Sequence, residues 1–509
     1  MSISDEFSRR LKRAERAKSD IKYDVEEVML FCDAGSNKDK KGRPKCRYDQ
    51  DVFSSVPGQA SEDFVSDLSR YFIPRDSQWI EYGPGSEIPE EITDQLVEIL
   101  EARENRMLAS LDVSNFYDIA PNALDGAKHG TVAMWSHDMM ASKPLLFEPI
   151  SFDELFIGIG PGGLLDDRFW VRKRRYSEII AEYGAAAENA LLNSKQKSKY
   201  RTAKSNDHEL DVKHGFWRDW SDPGADRWHE IVMIDDVVVV EKNLDSISQV
   251  KLHVGRFNPR AKMPWGYGPG RSMLPDMRTY DAVNEIMLEG LDRDLDPPTF
   301  GPDDGILDLS QGLQSGNYYP IAPGTAADLF QFSQRNLDAG FFVERNFEEK
   351  IREGFFQDGP RQRGLTPPTA TQWLEEAQRI QRRLGRPAAP IWTEFFVHVI
   401  QRVDYVLSKA GVLEDGVEID GEIVAIMPIN PLIKAQNREE AVEANALLDG
   451  IAQHAPQEVA TLVDLPKTFS NIQNKVGDSL VALRSPQEYE RLRQEQMLQQ
   501  SGVLPSEPA

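Results

Sequence analysis

The chain has 509 residues, with 59 Lys and Arg against 83 Asp and Glu, a formal charge of −24. That balance argues against a protein that grips nucleic acid over its general surface, since neutralising phosphates takes a positive footprint, and against docking on an anionic membrane. It does not exclude a protein that handles DNA without gripping it. Hydrophobic residues make up 40% and charged residues 28%, so a real core is within reach, and the length predicts roughly two to four domains. Cys32 and Cys46 are the only cysteines. Two are no disulfide framework, so a reducing cytosol is expected. No run reaches ~18 apolar residues, and Met1 to Asp20 is charged and lacks an apolar core region. Neither a membrane span nor a secretory signal is expected.

Residues 1–31 read as a helix, because Phe7, Leu11, Ala14 and Ala17 recur three or four apart with Arg and Lys between them. Residues 33–60 are polar and broken by Gly35, Gly42, Pro44, Pro57 and Gly58, which predicts a loop. Phe64, Leu68, Tyr71 and Phe72 predict a second helix stopped by Pro74, and Ile92 to Leu111 a third over 91–115. The period then changes. Thr131 to Trp135, Leu155 to Ile159 and Phe169 to Val171 read as strands. Ser177 is the expected N-cap of a short helix that Gly184 stops. Residues 194–213 are polar and basic and predict an exposed loop or frayed helix. Ile231–Ile234 and Val237–Val240 flank Asp235-Asp236 as a hairpin, and Val250, Leu252 and Val254 alternate as a half-buried strand. This is a small β module inside a helical protein.

After Gly266–Gly270 the helical period returns. Met277, Tyr280, Val283, Met287, Leu291 and Leu295 mark one face of a helix of about 20 residues, roughly 30 Å long, which Pro297-Pro298 ends. Residues 299–330 read as irregular or β. Val343, Phe347, Ile351 and Phe355 mark another helix. A loop over 357–368 follows, and Thr369–Gln372 fits a capping box opening the next helix. Its stripe is interrupted by Gly385 and Pro387, then resumes as Ile391, Phe395, Val399, Val403 and Val406 until Gly411. Ser485-Pro486 opens a polar C-terminal helix.

Enzyme signatures fail. Gly158-Ile-Gly160-Pro-Gly-Gly163 matches a dinucleotide fingerprint, but turn and strand follow it where a helix N-terminus must hold the pyrophosphate. Ile231 to Asp236 resembles a magnesium-holding strand, yet no phosphate-cradling loop exists in the chain. His229-Glu230 lacks the second histidine of a zinc motif, because Met233 stands there. Asp292, Asp294 and Asp296 start like a calcium loop, but Pro297-Pro298 occupies the required glycine turn. A carboxylate pair of glycosidase type is an open alternative, though acids are too numerous to single one out. No catalytic residue, metal or cofactor is expected.

One arrangement is unusual. Two helices, about 276–296 and 336–356, bracket an excursion of about 40 residues, and a loop and a very long helix follow. Ala60-Ser-Glu-Asp-Phe64 through Pro74 and Trp79, Gly130-Thr131, Phe147-Glu-Pro-Ile150, Glu154-Leu-Phe-Ile157, Gly266-Tyr-Gly-Pro-Gly-Arg271, Leu274-Pro275-Asp276 with Asn284, Asp296-Pro-Pro298, Thr369-Ala-Thr371 and Pro431-Leu432 with Ala435-Gln436 occur in that order. In these segments the chain resembles the portal, or head-to-tail connector, protein of short-tailed podovirus phages. Gln372, where a Glu is common, and the stiff Pro367-Pro368 depart from the pattern.

The resemblance implies an α+β, mainly α, portal fold and a ring, usually of twelve copies, at one capsid vertex. Double-stranded DNA is packaged through it by a separate terminase and later leaves through it. Residues 1–271 would be the wing with the β module, 272–296 and 336–356 the stem, and 297–335 the clip. The tunnel loop would be 357–371, the long wing helix 372–412, and the crown and C-terminal helix 413–509. The resemblance places Arg361, Gln362, Arg363, Lys350 and Arg352 at the channel and tunnel loop. It places Asp276, Asp281, Glu285, Glu289, Asp292 and Asp294 on an acidic stem lining. Asp296, Pro297, Pro298, Asp303, Asp304, Tyr318 and Tyr319 fall on a clip that meets terminase and tail adaptor. The implied partners are further copies of the chain, the terminase large subunit, the tail adaptor, the major capsid protein and scaffold, and DNA in passing contact. The implied location is the virion, after assembly in the host cytoplasm. A different virion or scaffold protein is the alternative of another class. For Arg361 and Arg363 a peripheral solvated loop stands beside the channel reading. The basic stretch 195–204 reads either as a solvated surface or as a contact with a neighbour.

Overall fold

The computed structural model describes residues 3–33, 52–75, 79–80, 82–84, 90–138, 145–194, 196–222, 224–295, 299–302, 318–321, 334–357, 383–413 and a few short pieces beyond. The chain divides into a large unit, Met1–Ile80 with Pro84–Ile426, and a small one, Glu81–Gly83 with Met427–Ala509. The β module and the long helices belong to the large unit.

Helix α1 (Ile3–Cys32) buries Phe7, Leu11, Ala14, Lys18, Ile21, Val25 and Val28, the three-and-four spacing of a one-faced helix. Helix α2 (Val56–Phe72) starts earlier than its sequence suggests. The loop over 33–60 gives way at Val56, because Pro57 sits in the first turn, where its missing N–H costs nothing. Helices α3 (Glu90–Val113) and α4 (Phe116–Leu124) lead into the β module.

The module holds two antiparallel sheets. In the first, β1 (Thr131–Ser136) lies between β2 (Phe147–Pro149) and β8 (Leu252–Arg256). In the second, β3 (Leu155–Gly158), β4 (Asp167–Arg175), β5 (Glu209–Arg218), β6 (Trp228–Ile234) and β7 (Val237–Leu244) pair in that order. Asp235 takes φ +51 in the two-residue turn between β6 and β7, as the hairpin requires. The aromatic core of Trp135, Trp170, Phe216, Trp228 and Trp265 lies between the sheets. The N-terminal half of α1 covers the outer face of the second sheet, with Phe7 edge-on to Phe169 at 5.4 Å and to Trp217 at 6.1 Å.

Several expectations are corrected here. Ser177 is not an N-cap. Helix α5 (Tyr176–Leu192) begins one residue before it, and Asp207 supplies the cap by accepting the Ser177 N–H at 2.9 Å and its hydroxyl at 3.1 Å. Gly184, with φ +72 and ψ −166, is not helical and stops the first helical segment where its sequence predicts; α5 is two helical segments that meet there at a kink. Most of the stretch 194–213 is regular structure rather than an exposed loop or frayed helix. It forms α6 (Lys197–Asn206) and enters β5, because Tyr200 and Ala203 are buried with Tyr176 and Leu191. Strand β8 is buried along its whole length rather than half-buried. His253 can be interior because Ser136 Oγ lies 2.9 Å from its Nε2. Gly385 and Pro387 do not interrupt the long helix. Helix α9 runs from residue 383 to Lys409, widening to a π-turn over Trp392–Phe396, and the Pro387 carbonyl accepts the Asn258 N–H at 2.8 Å. The glycine run 158–163 is a turn into β4, as its sequence predicts.

Candidate functional site, a helical hairpin and its anchor

Helix α7 (Pro269–Leu295) and helix α8 (Gln334–Gly354) pack as an antiparallel pair. Their lengths correspond to about 40 and about 31 Å at 1.5 Å per residue. The close approach is at the base, where a Cβ on Gly354 would collide with Met273. Between them, β9 (Thr299–Pro302) pairs in parallel with β10 (Tyr318–Ile321), setting Tyr318 opposite Thr299 and Tyr319 opposite Phe300.

The base of α7 is fastened by backbone contact. Gly130 has φ +118, and a side chain at Gly266 would overlap its carbonyl. The Phe257 N–H donates to the Gly130 carbonyl at 2.9 Å, and the Tyr267 N–H donates to the Phe257 carbonyl at 2.8 Å. Only glycine allows two chains to cross this closely. The first turns of α7 then pair with α1. Arg271 donates to Asp24 at 3.0 Å, Arg278 is bonded to Glu27, and Met277 and Tyr280 are buried. The helix starts at Pro269, seven residues before the sequence periodicity marks it.

The base of α8 is fastened by aromatics. Phe355 is buried, and Phe64 of α2 meets the Phe355 ring at 6.2 Å and stacks on Phe356 at 6.0 Å. Phe356 adopts φ +64 and turns the chain off the helix. Gln357 donates to Asp67 at 3.0 Å. Arg383, the first described residue of α9, donates to the Glu353 carbonyl at 3.3 Å and lies 5.7 Å over the Phe356 ring. Gln357 and Arg383 are therefore both held at the base of α8.

Of the residues expected on an acidic lining, Glu285, Glu289 and Asp292 are exposed and lie on one side of α7. Asp276 is half-exposed. Asp281 is engaged elsewhere, accepting the Phe53 N–H at 2.7 Å, and burial pushes its carboxyl above the ordinary value. Asp294 falls on the last turn of α7. Lys350 and Arg352 lie on the last turns of α8, on the helix expected over 336–356. Lys350 lies 5.0 Å over the Phe347 ring, and Arg352 donates to Glu348 at 3.0 Å one turn back. Arg361, Gln362, Arg363, Asp296, Pro297, Pro298, Asp303 and Asp304 lie outside the described residues, as does the capping box at Thr369–Gln372.

The hairpin also carries apolar side chains that nothing among the described residues covers. Ile286 is 66% exposed, Leu288 51% and Phe342 70%. At about 100° per residue, Ile286 and Leu288 flank Glu285, one about 100° to one side and the other about 60° to the other.

A second polar feature was not read from the sequence. Glu394, His398 and Arg402 lie four apart on α9 and face the β module. Arg256 is bonded to Glu394, with its Nε at 3.0 Å from Oε2. Both terminal nitrogens of the Arg168 guanidinium lie 3.3 Å from His398 Nδ1, and Arg168 also donates to the Leu165 and Leu252 carbonyls at 3.1 Å. Arg402 donates to Asp138 at 2.7 Å. Burial opposes the charge on Asp138, but Lys251 and Arg402 together hold its carboxyl down at about 2. His398 is driven well below its ordinary value by burial first and by the Arg168 charge second. Three polar residues at four-residue spacing inside an apolar stripe were the available signal.

The basic stretch of α6 is partly spent inside the chain. Lys199 pairs with Asp235 at 2.7 Å and Lys204 with Glu188 at 2.6 Å. His229 faces Asn243 at 2.8 Å, as a structural histidine does. No cluster of three or more His, Cys, Asp or Glu suited to a metal occurs among the described residues, and none of their helices is long and apolar enough to cross a membrane.

Residues 5–479 match the family model of the bacteriophage head to tail connecting protein, and the chain belongs to that family. Its place is accordingly in the virion, where head and tail join. No curated protein matches the chain.

Proposed function

We propose that this chain is the portal of a short-tailed phage, a ring of about twelve copies through which a separate terminase packages double-stranded DNA. The exposed apolar side chains on the hairpin carry the reading. Ile286, Leu288 and Phe342 would cost about 25 cal/mol for each Å² left in water, and burial against neighbours in a ring removes that cost. The flanking positions suit a head-to-tail contact, with one side of α7 meeting the copy before and the other the copy after. Glu285, Glu289 and Asp292 then face the bore between those contacts. An acidic wall repels phosphate and keeps DNA from sticking during passage.

On this reading the excursion 297–335 is the clip that receives the terminase large subunit and later the tail adaptor. Residues 357–371 form the tunnel loop, whose Arg361 and Arg363 touch phosphate in passing. Residues 1–271 form the wing that meets the major capsid protein, scaffold and neighbouring copies. Negative-stain imaging of the purified chain tests the reading. Rings of about twelve-fold symmetry with a central hole are expected, and monomers under all conditions would overturn it.

A further inference from the structure

We propose that α1 carries a second DNA contact, a phosphate-binding stripe of Arg9, Lys12, Arg13 and Arg16 separate from the hairpin. The proposal rests on the reading that this chain handles the phage genome. Its source is the cluster of basic residues between the apolar positions of α1, which the hairpin leaves unexplained.

Helical geometry gathers these four residues. At about 100° per residue, Arg9, Lys12, Arg13 and Arg16 fall within an arc of about 100°, over roughly 10 Å of helix. Phe7, Leu11 and Ala14 lie on the opposite side, buried on the second sheet. Arg9, Lys12 and Arg16 are exposed, and none is paired with a carboxylate among the described residues. Arg13 bonds to Asp167 yet leaves 62% of its side chain exposed. Arg10 shows the contrast. It points off the stripe and is neutralised by Glu6 at 2.9 Å and Asp167 at 2.7 Å. Glu6 and Asp167 have taken Arg10, whereas Asp167 holds only Arg13 of the stripe and leaves Arg9, Lys12 and Arg16 to solvent. Asp5 and Asp20 bound it at either end, so its reach is two or three phosphates.

The support is rigid. Besides the Phe7 contacts, Lys18 is buried and donates to the carbonyls of Phe152, Asp153 and Leu155 at 2.6, 2.7 and 3.1 Å. The helix therefore loses little freedom when the stripe is occupied. Guanidinium groups match phosphate oxygens in pairs. A duplex is also a uniform polyanion, whereas acids of this chain are partly spent on its own cations, as Glu27 is on Arg278. This favours phosphate over the acidic surface of a second copy. A net charge of −24 opposes the approach of DNA everywhere else, so binding is weak, local and governed by salt.

The test is fluorescence anisotropy of the full chain with a labelled random duplex of about 30 base pairs, in about 50 to about 200 mM salt. Three phosphate contacts predict a log–log slope near −2.7, a loss of about 40-fold across that range. The variant R9Q/K12Q/R16Q is expected to bind at least about tenfold more weakly at low salt, with a slope near zero. K197Q/R201Q, which removes exposed charge from α6, should leave binding unchanged. Matching thermal melts establish that the variants fold. Wild-type affinity and slope in the triple variant, or no duplex binding by the unaltered chain at low salt, would overturn the proposal. So would a triple variant that loses self-association while binding DNA normally, since the stripe would then be a contact between copies. Rings with no stripe-dependent DNA binding sink this proposal and leave the portal reading standing. Stripe-dependent binding by a chain that never forms rings does the reverse.

Discussion

Gly266 crosses Gly130 with no room for a side chain, because a Cβ on Gly266 would overlap the Gly130 carbonyl oxygen and stand 2.7 Å from the Phe257 carbonyl oxygen. Both obstacles are backbone and cannot rotate away. Gly266→Ala should therefore cost at least about 2 kcal/mol, the upper part of the range for overpacking a rigid site. Gly224→Ala, where the nearest atom is 3.6 Å from a built Cβ, should stay within about 0.5 kcal/mol. Urea unfolding of both variants checks this, and equal midpoints would contradict it.

The pairing of Arg256 with Glu394 joins the long helix to the β module. Arg256 is 6% exposed, so removing its partner leaves a buried cation. Glu394→Ala is expected to cost about 3 kcal/mol. Replacing both residues with Met should cost less than the single change, since no unpaired charge remains. A double-mutant cycle reads the coupling.

Acid should destabilise the fold through its buried histidines. His129, His214, His253 and His398 are all lowered from 6.5 by burial first, His129 to about 3. A depressed histidine contributes its full stability above the unfolded value of about 6.5, and the contribution falls as pH drops toward the folded value. Each group costs up to about 1.4 kcal/mol per pH unit in that window. His129→Gln should therefore flatten the stability profile between about pH 6 and about pH 4 by one proton's worth. An unchanged slope in denaturant titrations would exclude His129 as a contributor.

Ile286→Glu combined with Leu288→Glu should break assembly and spare the subunit. Both sites are solvent-facing in the single chain, so monomer stability should shift by less than about 0.5 kcal/mol. Native mass measurement should show loss of the ring. An intact ring would place the subunit contact elsewhere.

Arg361→Glu with Arg363→Glu should impair packaging or retention of DNA in assembled heads without altering ring formation. Normal packaging and retention would remove these arginines from any DNA role.

Much of the architecture is legible from spacing alone. The stripe Phe7, Leu11 and Ala14 and the pair Met277 and Tyr280 locate α1 and α7, because a one-faced helix must repeat its apolar residues every three or four positions. The Asp235-Asp236 turn between two apolar runs locates the β6–β7 hairpin for the same reason of periodicity. Spacing fails where a distant group decides the outcome. Ser177 looks like a cap, but Asp207, brought back by α6, takes the role. Gly385 and Pro387 look like breaks, but the helix runs through both, and the Pro387 carbonyl takes the distant Asn258 N–H.

The sequence by itself determined the class of element at most positions, the mainly helical character, the embedded β module and the acidic excess, since these depend on local periodicity and composition. Only the tertiary structure decided which charges remain available. It spent Asp281 on the Phe53 N–H and Lys199 on Asp235, and left Glu285 and Asp292 exposed on one side of the hairpin and Arg9, Lys12 and Arg16 in solvent on α1. The physical reason is that an ionic group's role depends on its partner, and partners far apart in sequence meet only when the chain folds. The charge of −24 is an average over these separate faces.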